Sequence, residues 1–301
     1  MLTSLGHFFT RRVFARTSAA IVRSVSGGRR GVGFQPVRQR TFAAILLLVS
    51  GCGYAEYEIR LAETKKYYAY LDRIEQSLAV KWIAPGNLME LRVPRQFGPI
   101  LPAPLIQKED GSFEQPSIDP RQPDYLNLIF PELFGAWESV FKVAKGNGTT
   151  EDRKGYIYAL GNYWELAGEH ANDAGEFANN LKAFLAERLQ ITPADGEPKQ
   201  QVYPKVVPAY QVQAVYDVCS FKGKNIDGTN YTFEVFSRTQ GSVIGVIVVV
   251  LPEGLEMQQK VNERIPMMLE SFNFTTTPPK AGSDKFGPVQ GNAGPAPGAG
   301  F

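Results

Sequence analysis

The chain is poor in the residues that bind soft metals and act as nucleophiles. It has 2 cysteines, Cys52 and Cys219, and 2 histidines, His7 and His170, in 301 residues. So few cysteines exclude a disulfide framework, and a structural zinc site would need three or four His or Cys ligands. With His7 in the N-terminal segment, a serine or cysteine triad would have to use His170, and no Gly-x-Ser-x-Gly elbow is present. Lys145-Gly146-Asn147-Gly148 lacks the Gly-Lys-Ser/Thr ending that grips phosphate, and reads as a turn. No stretch supplies the roughly 20 apolar residues that cross a bilayer, and no repeat of fixed period is visible. No catalytic set, metal set or cofactor motif is therefore assigned.

Acid is missing from one end. Met1 to Arg40 holds eight arginines and no Asp, Glu or Lys. Leaving those arginines out takes the basic residues from 32 to 24 against 30 acidic ones, a formal balance of −6. The remaining chain is mildly acidic, which gives nucleic-acid binding no electrostatic support.

What is present begins at Thr41. Arg38 and Arg40 precede an unbroken apolar block, Phe42 to Val49, followed by Ser50, Gly51 and Cys52. Basic residues, a short apolar block and small residues make the layout of a secretory signal peptide. The closing Val49-Ser50-Gly51-Cys52 resembles the lipobox of bacterial lipoproteins. That resemblance implies cleavage between Gly51 and Cys52, diacylation of the Cys52 sulfur, and a mature chain beginning at Cys52. Gly53 stands where that family carries Asp for inner-membrane retention, which implies the outer membrane. Two acyl chains supply the two signals a stable anchor requires, at about 0.8 kcal/mol per buried methylene. The same arginine-rich, acid-free stretch also reads as an organelle transit peptide. Thr10-Arg11-Arg12-Val13-Phe14 resembles a twin-arginine export motif, far upstream of the apolar block.

Four regions follow from this. Residues 1–51 are the signal segment, 52–84 the lipidated cysteine with an amphipathic helix, 85–274 an α+β domain, and 275–301 a Pro/Gly-rich tail. The tail has too little apolar surface to order itself. In the helix, expected from Gly53 to Trp82, Tyr57, Leu61, Thr64, Tyr68, Leu71 and Leu78 recur at four- and three-residue steps. That stripe is expected to pack on its own domain. Glu75 falls in the seam, which argues against a coiled coil.

Leu88 to Val93 reads as a short strand, Gln96 to Pro123 as an irregular Pro-rich excursion, and Tyr125 to Val143 has no clean period. Tyr156 to Leu166 reads as a strand or a hairpin around Gly161-Asn162. Asp173 and Glu176 suit a capping box ahead of a helix with Phe177, Leu181, Phe184 and Leu185 on its apolar face. Tyr210 to Phe221 alternates, Asp227-Gly228 turns, and Tyr231 to Phe236 is β-branched and aromatic. Val243 to Leu251 is apolar on both faces and should be a central strand. A closing helix, Glu256 to Phe272, should bury Val261, Ile265, Met268, Leu269 and Phe272 and kink or restart at Pro266.

The expected class is α+β, a mainly antiparallel sheet flanked by helices, preceded by the N-terminal amphipathic helix. Leu88-Met89-Glu90-Leu91-Arg92-Val93-Pro94, the strand from Gly241 to Pro252 and Ile265 to Phe272 together resemble the PsbP-like family. That family includes extrinsic photosystem subunits, a Ran-binding nuclear protein and bacterial envelope lipoproteins. The resemblance implies a sandwich that acts by binding, with no shared catalytic residues to transfer. The excursion after Pro94 and Pro266 depart from it.

Glu169, His170 and Asp173 form a local cluster that reads as a solvated loop and cap rather than a metal site. Cys219 reads as a half-buried structural thiol. The functional expectation is a cell-envelope protein on the periplasmic side, anchored through acylated Cys52 and acting as a non-catalytic binding or scaffolding module for an unidentified protein partner. An envelope hydrolase using carboxylates is the alternative enzyme reading, and an organelle-targeted protein the alternative location.

Overall fold

The computed structural model describes residues 54–102, 106–107, 113–114, 119–145, 148–167, 174–191, 198–205, 212–255 and 260–277. The chain divides into one unit ending at Glu58 and a second from Ile59 onward. Of the first, only the opening turn of helix α1 (Tyr54–Ser77) is described.

The central element of the second unit is a six-stranded antiparallel sheet. Its strands are β5 (Leu133–Ala144), β6 (Thr150–Gly161), β7 (Lys199–Tyr203), β8 (Ala214–Lys224), β9 (Asn230–Gln240) and β10 (Val243–Pro252). The order is β5-β6-β10-β9-β8-β7, so β10 lies inside the sheet, and all ten of its residues are buried. A strand apolar on both faces must be covered on both.

On one face Ile247, Val249 and Leu251 join Tyr216, Val218 and Phe236. Helix α4 (Val261–Ser271) covers them together with a small antiparallel sheet of β1 (Trp82–Ile83), β2 (Met89–Leu91) and β11 (Asn273–Phe274). On the other face Val246, Val248 and Val250 join Tyr158, Leu160, Phe233 and Val235. Helix α3 (Phe177–Leu189) and the turn Asp124–Leu126 cover that side. The class is α+β, mostly antiparallel, with few helices.

Several expectations are corrected. Helix α1 stops at Ser77, because the chain enters a bridge between Leu78 and Pro94 and then β1. The anticipated stripe is not packed: Tyr57 is 62 % and Tyr68 61 % exposed. Only the last turns reach the core, through Ile74 and Leu78, with Tyr70 half-buried beside them. The Arg95 amide and guanidinium donate to the Ser77 and Leu78 carbonyls and so end the helix.

No hairpin forms at Gly161-Asn162. β6 runs to Gly161, and helix α2 (Tyr163–Ala167) follows, with the Glu132 carboxylate accepting the Trp164 and Glu165 N–H groups at 3.0 and 2.6 Å. A Cβ at Gly161 would lie 2.3 Å from Met89 Cε, so any other residue there would push the end of the Met89 side chain aside. In α3 the buried residues are Phe177, Leu181, Leu185 and Leu189 at four-residue steps, with Ala178 beside them, which leaves Phe184 53 % exposed.

The excursion contains a two-stranded pair, β3 (Ile106–Gln107) and β4 (Phe113–Glu114), and ends on buried Arg121. Arg121 is clamped by Asp119 and donates to the Phe134 carbonyl. The stretch without a period becomes the turn Asp124–Leu126 and β5, whose first half is buried on both faces and whose second half alternates. Helix α4 continues through Pro266. Asp173, residues 256–259 and residues 278–301 lie outside the described residues.

Asn162 joins the layers. It is wholly buried; its amide donates to the Ala174 and Ser242 carbonyls at 2.9 and 3.1 Å, and its carbonyl accepts the Ile244 N–H at 2.8 Å. Asn162→Ala would strand two buried backbone groups and remove the bond to the Ser242 carbonyl, and a loss of about 2–4 kcal/mol is expected. Urea unfolding should show a lower midpoint at unchanged slope; an unchanged midpoint would contradict this role.

Candidate functional site

Among the described residues, the cover over the first face is incomplete. β8, β9 and β10 are long, and α4 does not reach over the far end of β8, the start of β9 and the end of β10. A cavity of about 700 Å³ lies there, lined by β7, β8, β9, β10 and α4. Its inner wall is apolar, with Val218, Phe236, Val249, Leu251 and Ile265; Gln201, Lys205, Lys222, Thr232, Glu253 and Asn262 also line it.

Glu234 stands among these apolar residues. It is opposite Ser220 on β8 and Val249 on β10, so side-chain alternation places it on the same face as Phe236 and Thr232. Its carboxyl is raised above its ordinary value of 4.5 by burial alone. Lys222 lies diagonally across the ladder, a separation of about 7–8 Å between backbone positions. Its ammonium nonetheless pairs with Glu253, at 3.5 Å. Tyr203 donates to Gln201 Oε1 at 2.6 Å, and its phenol is raised by burial and by the charge of Glu234. Pro266, on the α4 wall, has no N–H, so the helical pattern provides no donor for the Asn262 carbonyl four residues earlier.

A half-buried carboxyl with a shifted titration in a concave site is a recognised mark of a functional position. The sequence carried a signal for it. In Tyr231 to Phe236 a single acid interrupts an otherwise aromatic and β-branched strand, on the face that Phe236 shares.

The residues singled out from the sequence do not gather here. Gly51, Cys52, Glu169, His170 and Asp173 lie outside the described residues. Cys219 is fully buried rather than half-buried, opposite Val235 on the α3 side of the sheet, and burial raises its thiol. Such a thiol is inert. Among the described residues no group of three or more His, Cys, Asp or Glu could hold a metal ion. The stacked phenols Tyr125 and Tyr156, ring centroids 4.4 Å apart, and Tyr158 beneath them are raised by burial and form part of the second core.

The described residues thus form an α+β body with a cavity at one end of its sheet. No family model matches the chain, and no curated protein matches it. Nine chains of solved structures match it, two of which follow. One is a Bacteroides thetaiotaomicron protein, at 12 % identity and TM-score 0.28 over 65 % of this chain and 48 % of that one. The other is the Saccharomyces cerevisiae Ran-binding protein Mog1p, at 13 % identity and TM-score 0.25 over 64 % of this chain and 94 % of that one. The chain therefore spans about half the length of the first. Neither likeness bears on function.

Burial of Glu234 sets a pH dependence. Below the ordinary value of 4.5 the group is protonated folded and unfolded, and contributes nothing. As pH rises, the unfolded chain ionises first, so stability falls until the folded-state value is passed. Glu234→Gln should match the parent at acid pH and exceed it at neutral pH, measured by urea midpoints across that range. A gap that does not change with pH would remove the burial argument.

Proposed function

We propose that this is a lipid-anchored protein of the cell envelope whose PsbP-like α+β body acts as a non-catalytic binding or scaffolding module. The observation that carries the reading is the order of features along the chain. Arg38 and Arg40, the apolar block Phe42 to Val49 and the small pair Ser50-Gly51 run directly into Cys52, two residues before α1 begins at Tyr54. Acylated Cys52 is the membrane contact, the body lies on the periplasmic side, and Gly53 favours the outer membrane over the inner. Among the described residues no helix is long and apolar enough to cross a membrane. The cavity at Glu234 is the place on the body where a partner or ligand can be received.

One observation favours a second reading, an envelope hydrolase. Two carboxyls line a single cavity, Glu234 raised by burial and Glu253 paired with Lys222. Two carboxyls in one cavity, one of them raised by burial, are the kind of pair that general acid catalysis uses. Turnover of envelope polymers abolished by Glu234→Gln would support it.

The anchor is tested on protein made in a bacterial cell. The mature N-terminal peptide should begin at Cys52 and carry the mass of diacylation, and the protein should stay with membranes until detergent is added. Cys52→Ala should move it to the soluble fraction. A cut elsewhere, with no acyl mass, would instead support the transit-peptide reading.

A further inference from the structure

The lining of the cavity discriminates between classes of ligand. Its formal charges cancel, with Lys205 and Lys222 against Glu234 and Glu253. A strongly cationic or anionic ligand finds no net field there. A purely apolar ligand is equally unsuited, because Gln201 from β7, Thr232 and Glu234 from β9 and Asn262 from α4 all reach the space. Those side chains offer amide donors and acceptors, a hydroxyl and a carboxyl. The volume, about 700 Å³, lies within the ordinary range of small-molecule sites, about 300–1,000 Å³.

We propose that this cavity binds an uncharged polyhydroxylated ligand, a short stretch of glycan, with Glu234 hydrogen-bonded to its hydroxyl groups. Each sugar hydroxyl both donates and accepts, so the ligand can satisfy a lining in which donors and acceptors alternate and charge is balanced. Glu234 serves in either state: ionised it accepts only, and protonated it donates one bond and accepts others. The apolar wall of Val218, Val249 and Leu251 faces the C–H surfaces of the rings. A free oligosaccharide and a strand of insoluble wall polymer present the same hydroxyls. The inference rests on the body being a binding module, and does not require the lipid anchor.

The full chain in detergent is titrated calorimetrically with the tetrasaccharides of β-1,4-linked N-acetylglucosamine and of β-1,4-linked glucose. It is also co-sedimented with purified peptidoglycan, with spermidine and octanoate as charged comparators. Saturable binding to at least one glycan is expected, weakened at least tenfold in Glu234→Leu and in Asn262→Ala. Glu234→Leu replaces a desolvated carboxyl by an apolar group and should fold; circular dichroism checks both variants. Tetrasaccharide binding identifies a free oligosaccharide as the source, and sedimentation alone identifies the polymer. No binding in any glycan arm, glycan binding unchanged in both variants, or tighter binding of spermidine or octanoate would each overturn the proposal. An unlipidated chain that binds glycan removes the anchor and leaves this site; a lipidated chain that binds none removes the site and leaves the anchor.

Discussion

Burial of β10 on both faces is the constraint from which the rest of this architecture follows. Val243 to Pro252 presents side chains to two sides of the sheet, and every one of them is buried. At about 25 cal/mol per Å² of apolar surface removed from water, leaving either side bare would cost more than a domain's whole margin of stability. Two unlike covers meet the requirement. The α4 side uses a helix and three short strands, and the other uses α3 and the turn at Asp124–Leu126. Gly161 and Gly245, directly opposite each other on β6 and β10, let the first cover come close. A Cβ on Gly245 would meet Phe272 at 2.8 Å and Phe274 at 2.9 Å.

The covers are tied down by hydrogen bonds rather than by charge. Asn162 links the end of β6 to the start of β10 and to the turn before α3. The Tyr163 hydroxyl lies 2.7 Å from the Leu88 carbonyl and 2.8 Å from that of Thr275, which ties down the small sheet at the residues flanking β2 and β11. Tyr216, its phenol pushed up to about 12 chiefly by burial, donates to Leu269 at 2.8 Å and holds α4. The cavity is the complement of this arrangement. Where α4 and the small sheet end, the face of β8 and β9 continues, and its side chains change from Phe236 and Val218 to Glu234, Thr232 and Lys222.

Much of the fold was legible residue by residue. The meander of β8, β9 and β10 could be read from alternation and from the turns at Asp227-Gly228 and Gly241-Ser242, where Gly228 and Gly241 have φ of 77° and 63°. Strand β8 nonetheless begins at Ala214, later than the alternation suggested, and leaves Val212 89 % exposed. The central place of β10 followed from its unbroken apolar run. The failures came where a distant partner outweighed a local pattern. Tyr163 and Trp164 favour strand by propensity, but Glu132, some thirty residues earlier, caps them into a helix. Phe184 looked like core because it is aromatic and next to Leu185, yet α3 meets the sheet along a single four-residue ridge. The stripe on α1 is regular enough to predict burial, but periodicity only states which residues share a face. Whether anything lies against that face is a tertiary matter.

The candidate site divides along the same line. The proposed targeting segment would be recognised in the unfolded chain, so its pattern is linear: the basic stretch, the apolar block and Val49-Ser50-Gly51-Cys52 are read without a fold. The cavity cannot be read that way. Gln201, Lys222, Glu234 and Asn262 are spread over some sixty residues and four elements, and only strand register and the position of α4 bring them to one space. Sequence alone determined the strands of the meander, because alternation and turns depend on neighbours along the chain. The tertiary structure alone decided which faces are covered and where the cover ends, because burial depends on what packs against a surface.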